Sequence, residues 1–313
     1  MLCAVGVLLL GRPAAAVVPD STTYDPGHAA FAVRFGEEVI THRIMAMPMM
    51  PDTSVRVAIA SDTAAGSYQV DAPEASIRPL SGSAWRFTAP TQPGLYPVTI
   101  TDPGTADSVR IQVFVLRTWD HEGRRLNGYQ IGHYEMDPRR GLAVYEPPDG
   151  FIEVTAENKD APLSPNFRLE QFLCKQTDKT PQYALVRTRL LQQLERILAA
   201  VNAQGHAVPT LHVMSGYRTP QYNRAIGNTT EYSRHLYGDA ADLFVDADND
   251  RWMDDLNGDG RATKTDARVL AQIVRSVGTP GDERFNGGLS VYGPTNQHGP
   301  FVHIDLRGRR VRW

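Results

Sequence analysis

Cysteine is nearly absent from this chain. Its 313 residues include two, Cys3 and Cys174. Cys3 lies in an apparent leader, so a mature chain would keep Cys174 alone, and a disulfide framework is excluded. Beside Phe172 and Leu173, Cys174 reads as a small buried hydrophobe rather than a catalytic thiol. Charge of one sign is lacking as well. Lys and Arg total 32 against 35 Asp and Glu, a net charge of −3, so no global basic field argues for nucleic acid. No run beyond the N-terminus is long and apolar enough to span a membrane. What remains is 42% apolar, 21% charged and 8% aromatic residues, enough for a sizeable core and about two domains.

The N-terminal stretch L-C-A-V-G-V-L-L-L-G-R-P-A-A-A-V has a short apolar core and small residues at Ala14 to Ala16. This pattern predicts a signal peptide over residues 1–18 and export to the periplasm or the extracellular space. The segment before the apolar core carries no Lys or Arg.

Residues 20–118 read as all-β. Alternating stretches at Phe31 to Phe35, Val55 to Ala60, Ala84 to Thr88, Tyr96 to Ile100 and Val109 to Leu116 are separated by Gly and Pro, which predicts an immunoglobulin-like β-sandwich. Its partner is not legible, and the Met-rich run Met45 to Met50 reads as core filler or a loop wall rather than a contact surface. Residues 119–160 form a connector with turn signals and no assignable task. Further on, Ser164 or Asn166 is a candidate N-cap before apolar positions at helical spacing. Residues 183–203 carry Leu190, Leu191, Leu194, Ile197, Leu198 and Val201 at the period of an amphipathic helix. Thr210 to Met214 then reads as a strand, and Arg268 to Val277 as a helix.

The densest chemistry lies in S-R-H-L-Y-G-D-A-A-D, Ser233 to Asp242. An imidazole and a carboxylate seven residues apart meet only if the chain turns back, and Gly238 permits such a turn. His235 and Asp242 form an N/O pair that zinc accepts together with one more His and an open position for water. His303, in the strand-like G-P-F-V-H-I-D, is the third candidate. Alone it would read as a core histidine; beside the first motif it reads as a ligand.

Together these motifs resemble the zinc D-Ala-D-Ala peptidases, murein hydrolases that share a fold with the hedgehog signalling domain. The likeness is to the subgroup with F-V-H-x-D near the end and a terminal aromatic, here Phe301 to Asp305 and Trp313. S-G-Y-R-T-P-Q-Y-N, Ser215 to Asn223, is a second shared signature. The resemblance covers residues 161–313 and implies an α+β domain, a small antiparallel sheet with helices, preceded by the β-sandwich. It also implies a zinc carboxypeptidase or endopeptidase acting on peptidoglycan stem peptides, with Arg218 facing a substrate carboxylate or carbonyl. Ser233 would steady the loop, and Tyr217 would support the cleft. Relatives place a Glu or Asp three residues before the last His, or a His two before it. Here those positions hold Pro300 and Phe301, so His298 and Asp305 are the remaining candidates for a general base. Asp305 could instead orient His303.

An acidic insert spans residues 246–266. Asp255 to Asp266 matches a twelve-residue calcium loop, with Asp255, Asn257 and Asp259 as oxygen ligands, Gly260 at the sharp turn, the Arg261 carbonyl, and Asp266 closing, as in dockerin-like modules. Asp246, Asp248, Asp250 and Asp254 repeat the pattern in part, without the Gly. A solvated acidic loop is the plainer alternative. At the level of the whole chain, the alternative to an enzyme is a zinc- and calcium-bearing cell-wall binding protein.

Overall fold

The computed structural model describes residues 23–60 and 67–312. The expected signal peptide and Trp313 fall outside the described residues.

The first part of the chain is two sheets. Strands β1 (His28–Phe35), β2 (Glu38–His42), β4 (Ser54–Ile59), β6 (Ser76–Pro79) and β7 (Ala84–Thr88) form one, in the order β2-β1-β4-β7-β6. Strands β3 (Ile44–Met49), β5 (Gln69–Asp71), β8 (Gly94–Thr101) and β9 (Ser108–Val115) form the other, in the order β3-β9-β8-β5, with β3 parallel to β9. Alternation along the strands sends Val33, Phe35 and Phe87 from one sheet and Ile100, Ile111 and Val113 from the other into a common core. Met45, Met47 and Met49 are buried there too, in keeping with their reading as core filler.

The connector adds β10 (Arg117–Thr118), a small ribbon of β11 (Arg125–Leu126) and β12 (Tyr129–Gln130), and β13 (Gly150–Val154), which pairs with β14 (Gln182–Ala184). The expected helix start near Ser164 or Asn166 is instead extended chain followed by a single 3₁₀ turn, Leu169–Phe172. The reason is the long-range pairing of one side chain. The Asn166 side chain accepts from the Asp25 backbone N–H (3.0 Å) and donates to the Asp25 carbonyl (2.7 Å) and to Glu195 (2.7 Å), so it ties three segments together rather than capping a helix.

Helix α1 (Thr188–Ala203) starts five residues later than expected, because residues 182–184 are used as β14. It buries the predicted apolar face, each full-length side chain worth about 1.5–3 kcal/mol. Its first residue, Thr188, donates from Oγ1 to the Ala46 carbonyl at 2.8 Å, which docks the helix on β3.

The last part is a five-stranded sheet, in the order β15-β16-β18-β17-β19. Its strands are β15 (His212–Ser215), β16 (Ala240–Phe244), β17 (Gly288–Tyr292), β18 (Phe301–Asp305) and β19 (Val311–Arg312). Helix α2 (Pro220–Ala225) follows β15, and α3 (Lys264–Ser276) lies between β16 and β17. Helix α3 begins one turn earlier than expected because Thr263 and Asp266 form a capping box. The central strands β16 and β18 are buried at every position, so they read as continuous apolar runs broken only by the residues that matter below. No described helix is long and apolar enough to cross a membrane.

His42 is buried against His28, ring centroids 4.9 Å apart, and burial together with the nearby His28 and Arg196 charges lowers its pKa to about 4 despite Asp25. A histidine titrating lower when folded than when unfolded stabilises the fold above pH 6.5, and that contribution is lost as pH falls toward 4. Acidification over this range is therefore expected to cost on the order of 3 kcal/mol. Urea unfolding at a series of pH values should show this slope, and His42→Phe should flatten it.

Candidate metal centre

The site is built by strand register. Strands β16 and β18 are antiparallel, and Asp242 stands directly opposite His303. Both side chains therefore leave the sheet on the same face. His235 arrives from a 3₁₀ turn, Arg234–Tyr237, which ends at Gly238 with φ of 71°. A Cβ at Gly238 would also sit 2.5 Å from the Leu185 carbonyl oxygen, so position and conformation both require glycine.

The three side chains are buried, and one donor atom from each lies within 4.8 Å of the others. His303 Nδ1 is 2.8 Å from Asp242 Oδ1, His235 Nε2 is 3.3 Å from the same oxygen, and the two ring nitrogens are 3.2 Å apart. The other nitrogen of each ring is held from behind. His235 Nδ1 lies 2.7 Å from the Gly216 carbonyl and donates to it, which leaves Nε2 as the acceptor facing inward. His303 Nε2 is 3.2 Å from Asp305. Two imidazoles with their outer nitrogens anchored on oxygen, and inner nitrogens converging on a carboxylate, fit a zinc site of the N₂O type.

Electrostatics agree with that fit. Burial alone would raise Asp242, but the two histidines beside it hold its carboxyl well below the usual range. Burial alone would lower His303, yet hydrogen bonds to Asp242 and Asp305 push it up to about 9. His235 is lowered, chiefly by burial. The surroundings of the group thus favour positive charge at this point, which in the absence of metal is carried by the His303 ring paired with Asp242.

Arg218 lies at the rim. Its Nε donates to Ser215 Oγ at 2.7 Å, and its Nη2 donates to Asp242 Oδ2. It lines a cleft of about 560 Å³ together with Ser233, His235, Asp242 and His303. Ser233 contributes through its backbone, which closes the turn to Leu236 (3.0 Å). Tyr217 does not line the cleft: it is fully buried, its hydroxyl 3.1 Å from that of Tyr134 and its ring against Phe151. Cys174 is buried.

The two candidates for a general base lie elsewhere. Asp305 is fully buried, taking Arg307 on both oxygens and the Gly288 backbone N–H as well as His303. Both of its oxygens are taken up by these contacts. His298 is not part of the cleft lining; its Nδ1 is 2.8 Å from the Gly299 carbonyl and its ring packs edge-on to Phe301. No role was assigned to Arg307 from the sequence. An Arg two residues beyond Asp305 on the same strand end was the available signal.

In the acidic insert, the carboxylates gathered within 4.8 Å among the described residues are those of Asp246, Asp248 and Asp254. Asp255, Asp259 and Asp266 are not gathered in this way. Asp255 accepts from the backbone N–H groups of Gly258 and Asp259, Asn257 from that of Asp259, and Asp259 from that of Arg261. Asp266 is buried; its Oδ2 accepts from Thr263 in the cap of α3, and its Oδ1 accepts from the Leu256 and Asn257 backbone N–H groups of the loop.

Residues 165–281 match the model of the Peptidase M15 family. The match contains Arg218, His235 and Asp242 and stops short of His303. Peptidases of this family are zinc-dependent, in agreement with the buried His-Asp-His group. No curated protein matches the chain. Among solved structures, it is similar to a nucleoside hydrolase-related hypothetical protein from Saccharophagus degradans associated with carbohydrate metabolism (16% identity, 28% of this chain, 25% of that one, TM-score 0.22). It is also similar to the titin M3 domain (12% identity, 28% of this chain, all of that one, TM-score 0.18). The chain thus spans a quarter of the length of the first, and neither likeness bears on function.

The anchor behind His303 gives a direct expectation. Asp305→Asn should weaken zinc binding by about 10–100-fold, read by competition with a chromogenic chelator. The melting temperature of the metal-free variant separates this loss from unfolding.

Proposed function

We propose that this protein is an exported zinc metallopeptidase that cleaves peptide bonds in peptidoglycan stem peptides or their cross-links, as a D-Ala-D-Ala carboxypeptidase or endopeptidase. The observation that carries the reading is the buried group of His235, Asp242 and His303 at an open cleft. The Peptidase M15 match over the adjoining chain supports it. The murein substrate rests on the likeness of Ser215 to Asn223 and Phe301 to Asp305 to the murein peptidases, and export on the N-terminal apolar segment.

His235, Asp242 and His303 would hold the metal. When bound, zinc supplies a Lewis acid that polarises a carbonyl and activates water. Arg218 presents a planar guanidinium to a substrate carbonyl or carboxylate, with Ser215 fixing its direction. Asp305 and the Gly216 carbonyl keep both imidazoles in the tautomer that offers a lone pair inward. We read residues 20–118 as an immunoglobulin-like sandwich domain placed ahead of the peptidase domain, its partner open.

A second reading has its own observation. Among the described residues lining the cleft, no carboxylate or imidazole stands apart from the three proposed ligands. General acid–base help typically contributes 10²–10⁴-fold, so the protein would then be a slow hydrolase or a wall-binding module.

Metal analysis and muropeptide digestion separate these readings. The enzyme reading expects about one zinc per chain, lost in His235→Ala, and cleavage that falls roughly a hundredfold or more in Arg218→Ala. Zinc without cleavage, with muropeptides still bound, supports the wall-binding reading. No zinc in either protein overturns both.

We also retain calcium as a ligand of the acidic insert, on the pattern of Asp255 to Asp266 and the gathered Asp246, Asp248 and Asp254. Calcium at a hundred times its Kd would stabilise the fold by about 2.7 kcal/mol. A melting temperature unchanged by calcium, in zinc-loaded protein, would remove it.

A further inference from the structure

The connector ahead of the Peptidase M15 match forms part of the cleft. Three contacts hold it against the loop that carries His235. The Tyr232 hydroxyl donates to the Asp137 carbonyl (2.9 Å), the Arg234 guanidinium to the Val144 carbonyl (2.6 Å), and the Tyr134 hydroxyl to the Leu236 carbonyl (2.7 Å). Tyr145 adds edge-on ring contacts to Tyr232 and Tyr237 at 5.7 and 5.9 Å. A segment without a visible task in the sequence is thus fixed as a wall.

From that wall Arg139 lines the same cavity as the metal group. Its guanidinium carbon lies 6.0 Å from the centre of the Tyr232 ring. The cavity is lined by four arginines, and three are committed to carboxylates: Arg218 to Asp242, Arg234 to Asp239 and Arg307 to Asp305. Among the described residues, no carboxylate lies within ion-pair distance of Arg139. The same cavity is lined by Tyr292 stacked on Phe301, ring centroids 4.6 Å apart, a flat apolar surface suited to the body of a peptide. A guanidinium that lines the cleft with no carboxylate partner of its own is a receptor for an anion, and its planar fork matches a carboxylate.

We propose that Arg139 is a specificity residue that binds a carboxylate of the peptide substrate away from the metal group. The site therefore takes acidic peptides, and the connector, not only the metal-bearing region, sets which ones. This rests on the peptide-cleaving reading for its substrate class but is tested by binding as well as by turnover. The carboxylate is either the C-terminus of the peptide or an acidic side chain, and Arg139 is suited to both.

The test uses zinc-loaded full-length protein and a short synthetic peptide with one glutamate and a free C-terminus. Companion peptides carry a C-terminal amide, glutamine for glutamate, or both changes. Binding is followed by fluorescence anisotropy and cleavage by mass spectrometry. Wild type should bind the acidic peptide roughly tenfold to a hundredfold more tightly than the companion lacking the recognised carboxylate, and which companion fails identifies the source. Arg139→Ala should lose the same factor on the acidic peptide and no longer distinguish it from that companion. Arg139→Lys should recover part of the preference, with melting temperatures unchanged across the set.

If Arg139→Ala binds and discriminates as wild type does, or if wild type prefers no carboxylate or binds none of the peptides, the proposal is overturned. Discrimination lost in Arg139→Ala, in a protein that cuts nothing, upholds Arg139 and removes the peptidase reading alone.

Discussion

The pairing of Asp242 with His303 across two antiparallel strands is the constraint on which the site depends. A strand offers a side chain to each face in turn, and a slip of one residue would send the carboxylate and the imidazole to opposite faces. Here the register is held from both sides. Strand β17 pairs with β18 through five consecutive residues, and β15 closes on β16 with an irregularity between Val213 and Ser215. That irregularity places Ser215 against Asp242 and lets the chain turn toward Arg218. Two of the three proposed ligands and the arginine beside them therefore follow from one sheet.

The third ligand needs a different device, because no strand position can point toward the same spot from outside the sheet. The chain uses a short 3₁₀ turn ended by a left-handed glycine, and anchors His235 on the Gly216 carbonyl of the neighbouring turn. Gly216 is itself forced, since a Cβ there would stand 2.8 Å from the Phe172 backbone. Close backbone packing thus sets the ring orientation, and ring orientation sets which nitrogen faces inward. The histidine tautomers are consequences of the fold rather than independent choices.

This logic explains what could be read in the sequence. His235, Asp242 and His303 were legible because the chemistry demands particular residue types, and Gly238 because the turn demands one conformation. The alternating strands and the apolar stripe of α1 were legible because burial is periodic. Contacts made by backbone carbonyls were not. The Asp137 and Val144 carbonyls hold the connector to Tyr232 and Arg234, and any residue could supply them. Asn166 shows the same limit from the other side: its residue type suits a helix cap, but long-range partners Asp25 and Glu195 claim its side chain. Asp266 suits both the close of a calcium loop and a capping box, and in the fold one of its oxygens serves the cap while the other holds the backbone of the loop.

The general base follows from the same accounting. A group that accepts a proton during catalysis needs a free lone pair near the substrate and a pKa near the working pH. Asp305 has neither: three hydrogen bonds from Arg307, the Gly288 N–H and His303 occupy it, and against the opposing effect of burial His303 and Arg307 hold its carboxyl far below the usual range. The contact of Asp305 with His303 Nε2 favours the imidazole as a base, because an imidazole backed by a buried carboxylate is the more basic for it. The carboxylate two residues beyond His303 is thus fully engaged by Arg307, the Gly288 N–H and His303, and in the peptidase reading proposed above it would serve to hold the His303 ring rather than to move a proton.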